Sequence, residues 1–276
     1  MTALLQHLRL WQKLAVLSFL AAVCVGTPTY FLIQESQANL VQVRTEIQGL
    51  AMAKLALAAT ENVQEIRRLS VDTAETNRYP ALNAQLDAKL LALTQSLENH
   101  PISETRGWLQ ASMRHLNTVR SQLARNPAPD MALMDSFDAA LEPLFQINQS
   151  LVFSQDLILD PRAETYFLVK LGLLDLRRLT QLLGTLRDRL LIHSDQQGSS
   201  LTASLYASRM HTQLSAALDE STTDLTWALK YSPDWRAANA NAAEKLQHLQ
   251  LTVLPIAAAW QRNEISKSSL SHLSSL

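Results

Sequence analysis

A single cysteine, Cys24, in 276 residues excludes an intrachain disulfide and a thiolate metal cluster. It sits inside an apolar run, where a free thiol behaves as a small hydrophobe. Glycine is also scarce: the six glycines, at 26, 49, 107, 172, 184 and 198, all stand alone, which removes Gly-rich phosphate loops. The formal net charge is only -1, so there is no electrostatic case for nucleic acid as a partner. No two of the seven histidines stand at the i, i+4 spacing of a helical metal site. His193-Ser194-Asp195 carries triad residue types, but sequence neighbours cannot adopt triad geometry. The expectation is a non-enzyme with no catalytic residue, no metal site and no cofactor.

What is present is helix-forming. Hydrophobic residues make up 47% and charged residues 18%, too apolar for a disordered chain. Ala, Leu, Gln and Ser dominate over turn formers. Proline-containing and polar breakers at Tyr79-Pro80, His100-Pro101, Asn126 to Asp130, Asp160-Pro161, Ser194 to Ser200 and Ser232-Pro233-Asp234 cut the chain into helical segments. Between them apolar residues recur at helical spacing. Leu82, Leu86, Leu90, Leu93 and Leu97 form one stripe, and Leu109, Met113, Leu116, Val119 and Leu123 the next. Leu133, Phe137, Leu141, Leu144, Ile147 and Leu151 follow, with Pro143 placed to bend that helix. Leu176, Leu179, Leu183, Leu186 and Leu190, then Ala242, Leu246, Leu249, Val253, Ile256 and Trp260, complete the set. Such stripes fit antiparallel helices at small crossing angles. The fold class expected is all-α: an elongated antiparallel bundle, two stacked four-helix bundles sharing long helices.

The first long segment carries a 3-4-3 seam, Leu40, Val43, Ile47 and Leu50. Extended onward, that seam would meet Lys54, Glu61, Gln64 and Arg68. Either those polar groups point inward or the seam slides to Leu55, Ala59, Ile66 and Leu69, and sliding is the expectation.

No charged residue occurs between Leu14 and Gln34, and about 20 such residues cross a bilayer as a helix. Arg9 and Lys13 precede the run and Glu35 follows, which places the N-terminus in the cytoplasm. A cleaved signal peptide would have a shorter apolar core, about 7–15 residues, and a better site than Val25-Gly26-Thr27. Val23 before Cys24 argues against a lipoprotein signal. Residues 1–13 are thus expected to be cytoplasmic, 14–34 a single-pass transmembrane helix, and 35–276 an extracytoplasmic bundle.

Arginine clustering is the remaining chemical signal: Arg67-Arg68, Arg177-Arg178 and Arg187-Asp188-Arg189. A guanidinium grips oxyanions with a rigid fork. The competing reading pairs these arginines with nearby Glu61, Glu65 and Asp188. Asp160 is a good helix N-cap, Pro161 fits the first helical position, and Tyr166-Phe167-Leu168 supplies an apolar anchor behind them.

Ile158-Leu159-Asp160-Pro161 followed by Thr165-Tyr166-Phe167-Leu168 resembles a stretch of the helical periplasmic sensor regions of bacterial transducers. Methyl-accepting chemotaxis proteins carry it, as do some diguanylate cyclases and histidine kinases. Leu10-Trp11-Gln12-Lys13-Leu14 with Thr27-Pro28-Thr29-Tyr30 resembles their N-terminal anchor, and Glu46 to Leu50 and Gln64 to Ser70 resemble two further pieces. Ile66 and Arg68 depart from the His and Gly of that last piece, while Arg67 and Ser70 match it. The layout is also similar to nitrate- and nitrite-sensing helical domains, which use arginines at a bundle interface.

The resemblance implies a bacterial inner-membrane protein with a periplasmic sensor region, working as a homodimer and binding a small anionic ligand. Arg67 and Ser70 are the positions that keep the resemblance; together with Arg68, Arg177 and Arg178 from the arginine clusters they are the candidate ligand-binding residues, and Asp160 and Pro161 are a structural cap. The family also carries a second membrane helix and a cytoplasmic output domain after the last bundle helix. The sequence ends at Leu276 with neither, so a fragment or a natural truncation is expected. The competing class is a membrane-anchored helical scaffold without a small-molecule ligand.

Overall fold

The computed structural model describes residues 10–72, 77–99, 104–125, 129–154, 163–195, 201–262 and 264. All regular structure among them is helical. The helices are α1 (Leu10–Val71), α2 (Tyr79–Asn99), α3 (Thr105–Arg125), α4 (Met131–Ser154), α5 (Ala163–Lys170), α6 (Leu176–Asp195), α7 (Leu201–Tyr231), α8 (Pro233–Ala238) and α9 (Ala242–Gln261). A π-helical turn, Leu171–Asp175, joins α5 to α6 without a break.

The boundaries follow the breakers. Pro80 is the second residue of α2 and Pro233 the first of α8, positions where a missing N–H costs nothing. Asp130 caps α4, its Oδ1 accepting from the Leu133 N–H at 2.7 Å. Asp160 and Pro161 lie outside the described residues.

The chain divides into two compact units, Met1–Gln48 and Gly49–Leu276. In the first, α1 presents Val25, Phe31, Leu32, Ile33, Leu40, Val43 and Ile47 to the outside, each about half exposed or more. Among the described residues no helix is long and apolar enough to cross a membrane. The side chains of residues 14–24, the first half of the expected span, lie outside those described.

The second unit holds two main hydrophobic cores. The first gathers Met52, Ala56, Ala59, Val63 and Ile66 of α1, the α2 stripe, Leu109, Leu116 and Val119 of α3, and the inner face of α4. The seam of α1 does slide: Ala59, Ile66 and Leu69 are buried while Lys54 and Glu61 are exposed. On α3 one expected residue points away, since Met113 is exposed and Ser112 is buried instead. Ser112 donates to the Ala140 carbonyl at 2.9 Å, so a small polar residue lets α3 approach α4 in the turn preceding Pro143.

The second core joins Leu171, Leu179, Leu182, Leu186 and Leu190 to Leu214, Leu218 and Leu225 of α7 and to Val253, Ile256 and Trp260 of α9. Helix α6 serves both cores, because Ile192 belongs to the first. Leu176, expected on the α6 stripe, is exposed. The preceding π turn adds a residue per turn and rotates the stripe past it. Phe167 stacks on Trp227 and Tyr231 at centroid distances of 5.9 and 6.0 Å, fastening α5 to α7.

Candidate functional site

The inward stripe of α1 contains one charged residue among its apolar neighbours. Arg67 is 2% exposed, between buried Val63, Ile66 and Leu69. A buried guanidinium needs compensation from several directions, and here α4 and α6 provide it. Nη1 lies 3.2 Å from Oδ1 of Asp138 and donates to Oγ1 of Thr185 at 2.8 Å. Nε lies 2.8 Å from Oδ2 of Asp188, although its N–H does not aim at that oxygen. Nη2 passes over Gly184, where a Cβ would stand 2.6 Å away. Ser70 donates to the Arg67 carbonyl at 2.6 Å, a contact that supports the backbone and leaves the guanidinium alone.

Asp138 is the centre of the arrangement. Its Oδ1 accepts from Arg67 on α1 and from Thr185 on α6, at 3.2 Å each. Its Oδ2 accepts from Arg189 on α6 at 2.7 Å and from the Tyr206 hydroxyl on α7 at 3.4 Å. Four helices therefore meet on one carboxylate. Arg189 also donates to Asp135 at 2.6 Å, and its guanidinium carbon stands 3.9 Å over the Tyr206 ring. Burial disfavours the Arg189 charge, but Tyr206, Asp135 and Asp138 outweigh it and raise its pKa. Burial, reinforced by Asp138, raises the Tyr206 hydroxyl well above its ordinary value and keeps it a donor.

Outside this centre lies an open cleft of about 220 Å³, lined by Asp135, Asp138, Arg178, Arg189, Tyr206 and Arg209 among others. Arg178 pairs with Glu142 at 3.2 Å and stands over the Phe145 ring. Arg209 is exposed and makes no ion pair among the described residues. The charged lining of the cleft is balanced, with Arg178, Arg189 and Arg209 set against Asp135, Asp138 and Glu142.

The five arginine-centred candidates separate. Arg67 is buried among protein groups and does not line the cleft. Arg178 lines it. Arg68 turns to Glu65 at 2.8 Å and borders a different cleft of about 330 Å³, beside Arg187 and Asp188. Its hydrogen bond holds the Glu65 carboxyl below the ordinary value. Arg177 pairs with Glu61, away from the cleft. The local pairing of arginine with acid is thus correct for Arg68, whereas Arg67 finds its acids 71 and 121 residues along the chain. Asp138, Tyr206 and Arg209 carried no sequence signal, because each is an ordinary polar residue on an amphipathic helix.

A second charged cluster forms at the π turn. Lys170 Nζ donates to Glu220 at 2.7 Å and to Asp224, and lies 3.5 Å from Asp175. The π register places residues five apart on one side, and Leu176 N–H bonds back to the Leu171 carbonyl. The Leu173 carbonyl in the same turn accepts from Asn148 of α4 at 2.6 Å.

No family model, curated protein or solved structure matches this chain.

Proposed function

We propose that this chain is the extracytoplasmic ligand-sensing region of a membrane-bound bacterial signal transducer of the chemoreceptor-like kind. In this reading residues 14–34 anchor it in the inner membrane, the N-terminus is cytoplasmic, and the helical region stands in the periplasm as two stacked bundles. A second reading gives the same region to a diguanylate cyclase or a histidine kinase. The half-exposed apolar side chains Val25, Phe31, Leu32 and Ile33 favour the anchor. The exposed seam Leu40, Val43, Ile47 and Leu50 has the spacing a second copy would use in a homodimer.

The observation that carries the sensing role is Asp138, which ties the cleft to α1. A small monoanion entering the cleft meets Arg209, which makes no ion pair among the described residues, and competes with Glu142 for Arg178 and with Asp135 for Arg189. Changing the partners of Arg189 redistributes Asp138 between Arg189 and Arg67, and Arg67 belongs to α1. A ligand that favours one arrangement shifts the helix by the difference in its affinity for the two. Arg178 and Arg209 are therefore the ligand contacts, and Arg67 is the coupling residue. This redistribution separates the sensor reading from a ligand-free scaffold.

The test is a thermal-shift screen of the full chain in detergent against nitrate, nitrite, small carboxylates and amino acids. Ligand at about 100 times its Kd should stabilise by about 2.7 kcal/mol. Arg209→Ala should retain the fold and lose the shift. If no anion moves the melting temperature of the folded protein, the sensor reading fails.

A further inference from the structure

Three carboxylates, Asp175, Glu220 and Asp224, surround the single ammonium of Lys170, and their oxygen atoms lie within 4.8 Å of one another. Glu220 is 60% exposed and water screens it, whereas the Asp175 and Asp224 side chains are only 6% and 10% exposed. One ammonium cannot neutralise two buried carboxylates and a third beside them. Two carboxylates this close in a buried site hold a proton in preference to a second negative charge. The atom that needs it is identifiable: Oδ2 of Asp175 is buried and accepts no hydrogen bond. Protonated, it becomes a donor with Asp224 as its acceptor.

The backbone gives that proton something to control. Asp175 is the last residue of the π turn, and the turn alone places it beside Lys170. The charged groups facing it are Lys170 from α5 and Glu220 and Asp224 from α7. Arg178 of α6 lines the adjoining cleft of about 290 Å³, where α4 presents only uncharged Phe145, Gln149 and Phe153. We propose that Asp175 and Asp224 hold one proton between them and act as a proton-operated latch fastening the π turn to α7. The proton comes from water and returns to it. With the proton bound, the carboxyl pair bridges the two elements; without it, two adjacent carboxylates repel and only Lys170 holds them. The midpoint falls near neutral pH, because burial, then the hydrogen bond to Asp224, pushes the Asp175 carboxyl up to about 7. This latch is independent of any ligand in the arginine cleft.

A carboxyl raised in the folded state favours folding fully below its unfolded pKa, and that stability is lost as pH rises through the folded value. Melting curves of the full chain in detergent, from pH 5 to 8.5, should therefore show the melting temperature falling as pH approaches 7. Asp175→Asn, uncharged at every pH, should remove that fall and melt higher than wild type at pH 8.5, by on the order of 5 °C. Hydrogen exchange of wild-type peptides covering 171–176 and 220–224 gives a second readout that needs no variant. After correction for intrinsic rates, protection should drop between pH 6 and 8. An identical pH dependence in wild type and Asp175→Asn, or protection that does not change, overturns the latch. If 5 mM Mg²⁺ or Ca²⁺ at pH 8.5 restores the pH 5 melting temperature in wild type only, the cluster is a divalent-cation site and the latch is wrong.

Discussion

The guanidinium of Arg67 lies across Gly184, so close that a Cβ on that glycine would stand 2.6 Å from Nη2. The glycine is in mid-helix, where it costs about 1 kcal/mol relative to alanine. Its role here is to leave room for a buried arginine. Gly184→Ala should therefore destabilise the protein despite its better helix propensity, by about 1–2 kcal/mol net of the crowding. In an Arg67→Met background the same substitution should stabilise by about 1 kcal/mol. Urea midpoints of the four proteins test the pair, and the same sign in both backgrounds would refute the steric role.

Arg67 and Arg68 are sequence neighbours with different energetics. Removing Arg67 leaves Asp188, whose side chain is 1% exposed, with Arg187 alone and takes one of two arginines from Asp138, which costs roughly 3 kcal/mol. Arg68 and Glu65 are each about a third exposed, so Arg68→Met should cost under about 1 kcal/mol. Denaturant unfolding of Arg67→Met and Arg68→Met should differ by several-fold in lost stability.

Lys170→Met removes the only ammonium from the π-turn cluster, which raises the Asp175 carboxyl further. The variant should be destabilised at pH 8.5 and less so at pH 5, where the proton substitutes for the lost charge. The pH dependence of its melting temperature, followed by circular dichroism, should extend to higher pH than that of wild type.

Val43 is about half exposed in the middle of the 3-4-3 seam of α1. On the homodimer proposal, Val43→Glu should leave helical content unchanged and convert the dimer to a monomer in analytical ultracentrifugation. An unchanged sedimentation profile would remove the seam from the interface.

In the cleft, Arg178→Ala should weaken any anion-induced thermal shift about tenfold in apparent affinity while changing stability by less than about 1 kcal/mol, since its pair with Glu142 is partly exposed. Isothermal calorimetry with the anion found in the screen checks this.

Much of the helical layout could be read from residue spacing. Periodic leucines and isolated prolines bear on neighbouring residues, and the physics that uses them acts over one turn or a few. Sliding of the α1 seam to Ala59, Ile66 and Leu69 followed from the polar residues that would otherwise be buried. Ser112 replacing Met113 at the α3–α4 contact did not, because it depends on how closely two helices approach around Pro143.

The sequence by itself determined that the chain is helical, where most helices begin and end, and that arginine is its most distinctive chemical group. Only the tertiary structure decided what each arginine does. Partner choice depends on which helices lie side by side, so Arg67 passes over Glu65, two residues away, for Asp138 and Asp188, while Arg68 keeps Glu65. The same holds for the π turn: a one-residue change in register brings Asp175 to Lys170 and Asp224, and no local propensity in Leu171–Asp175 announces it.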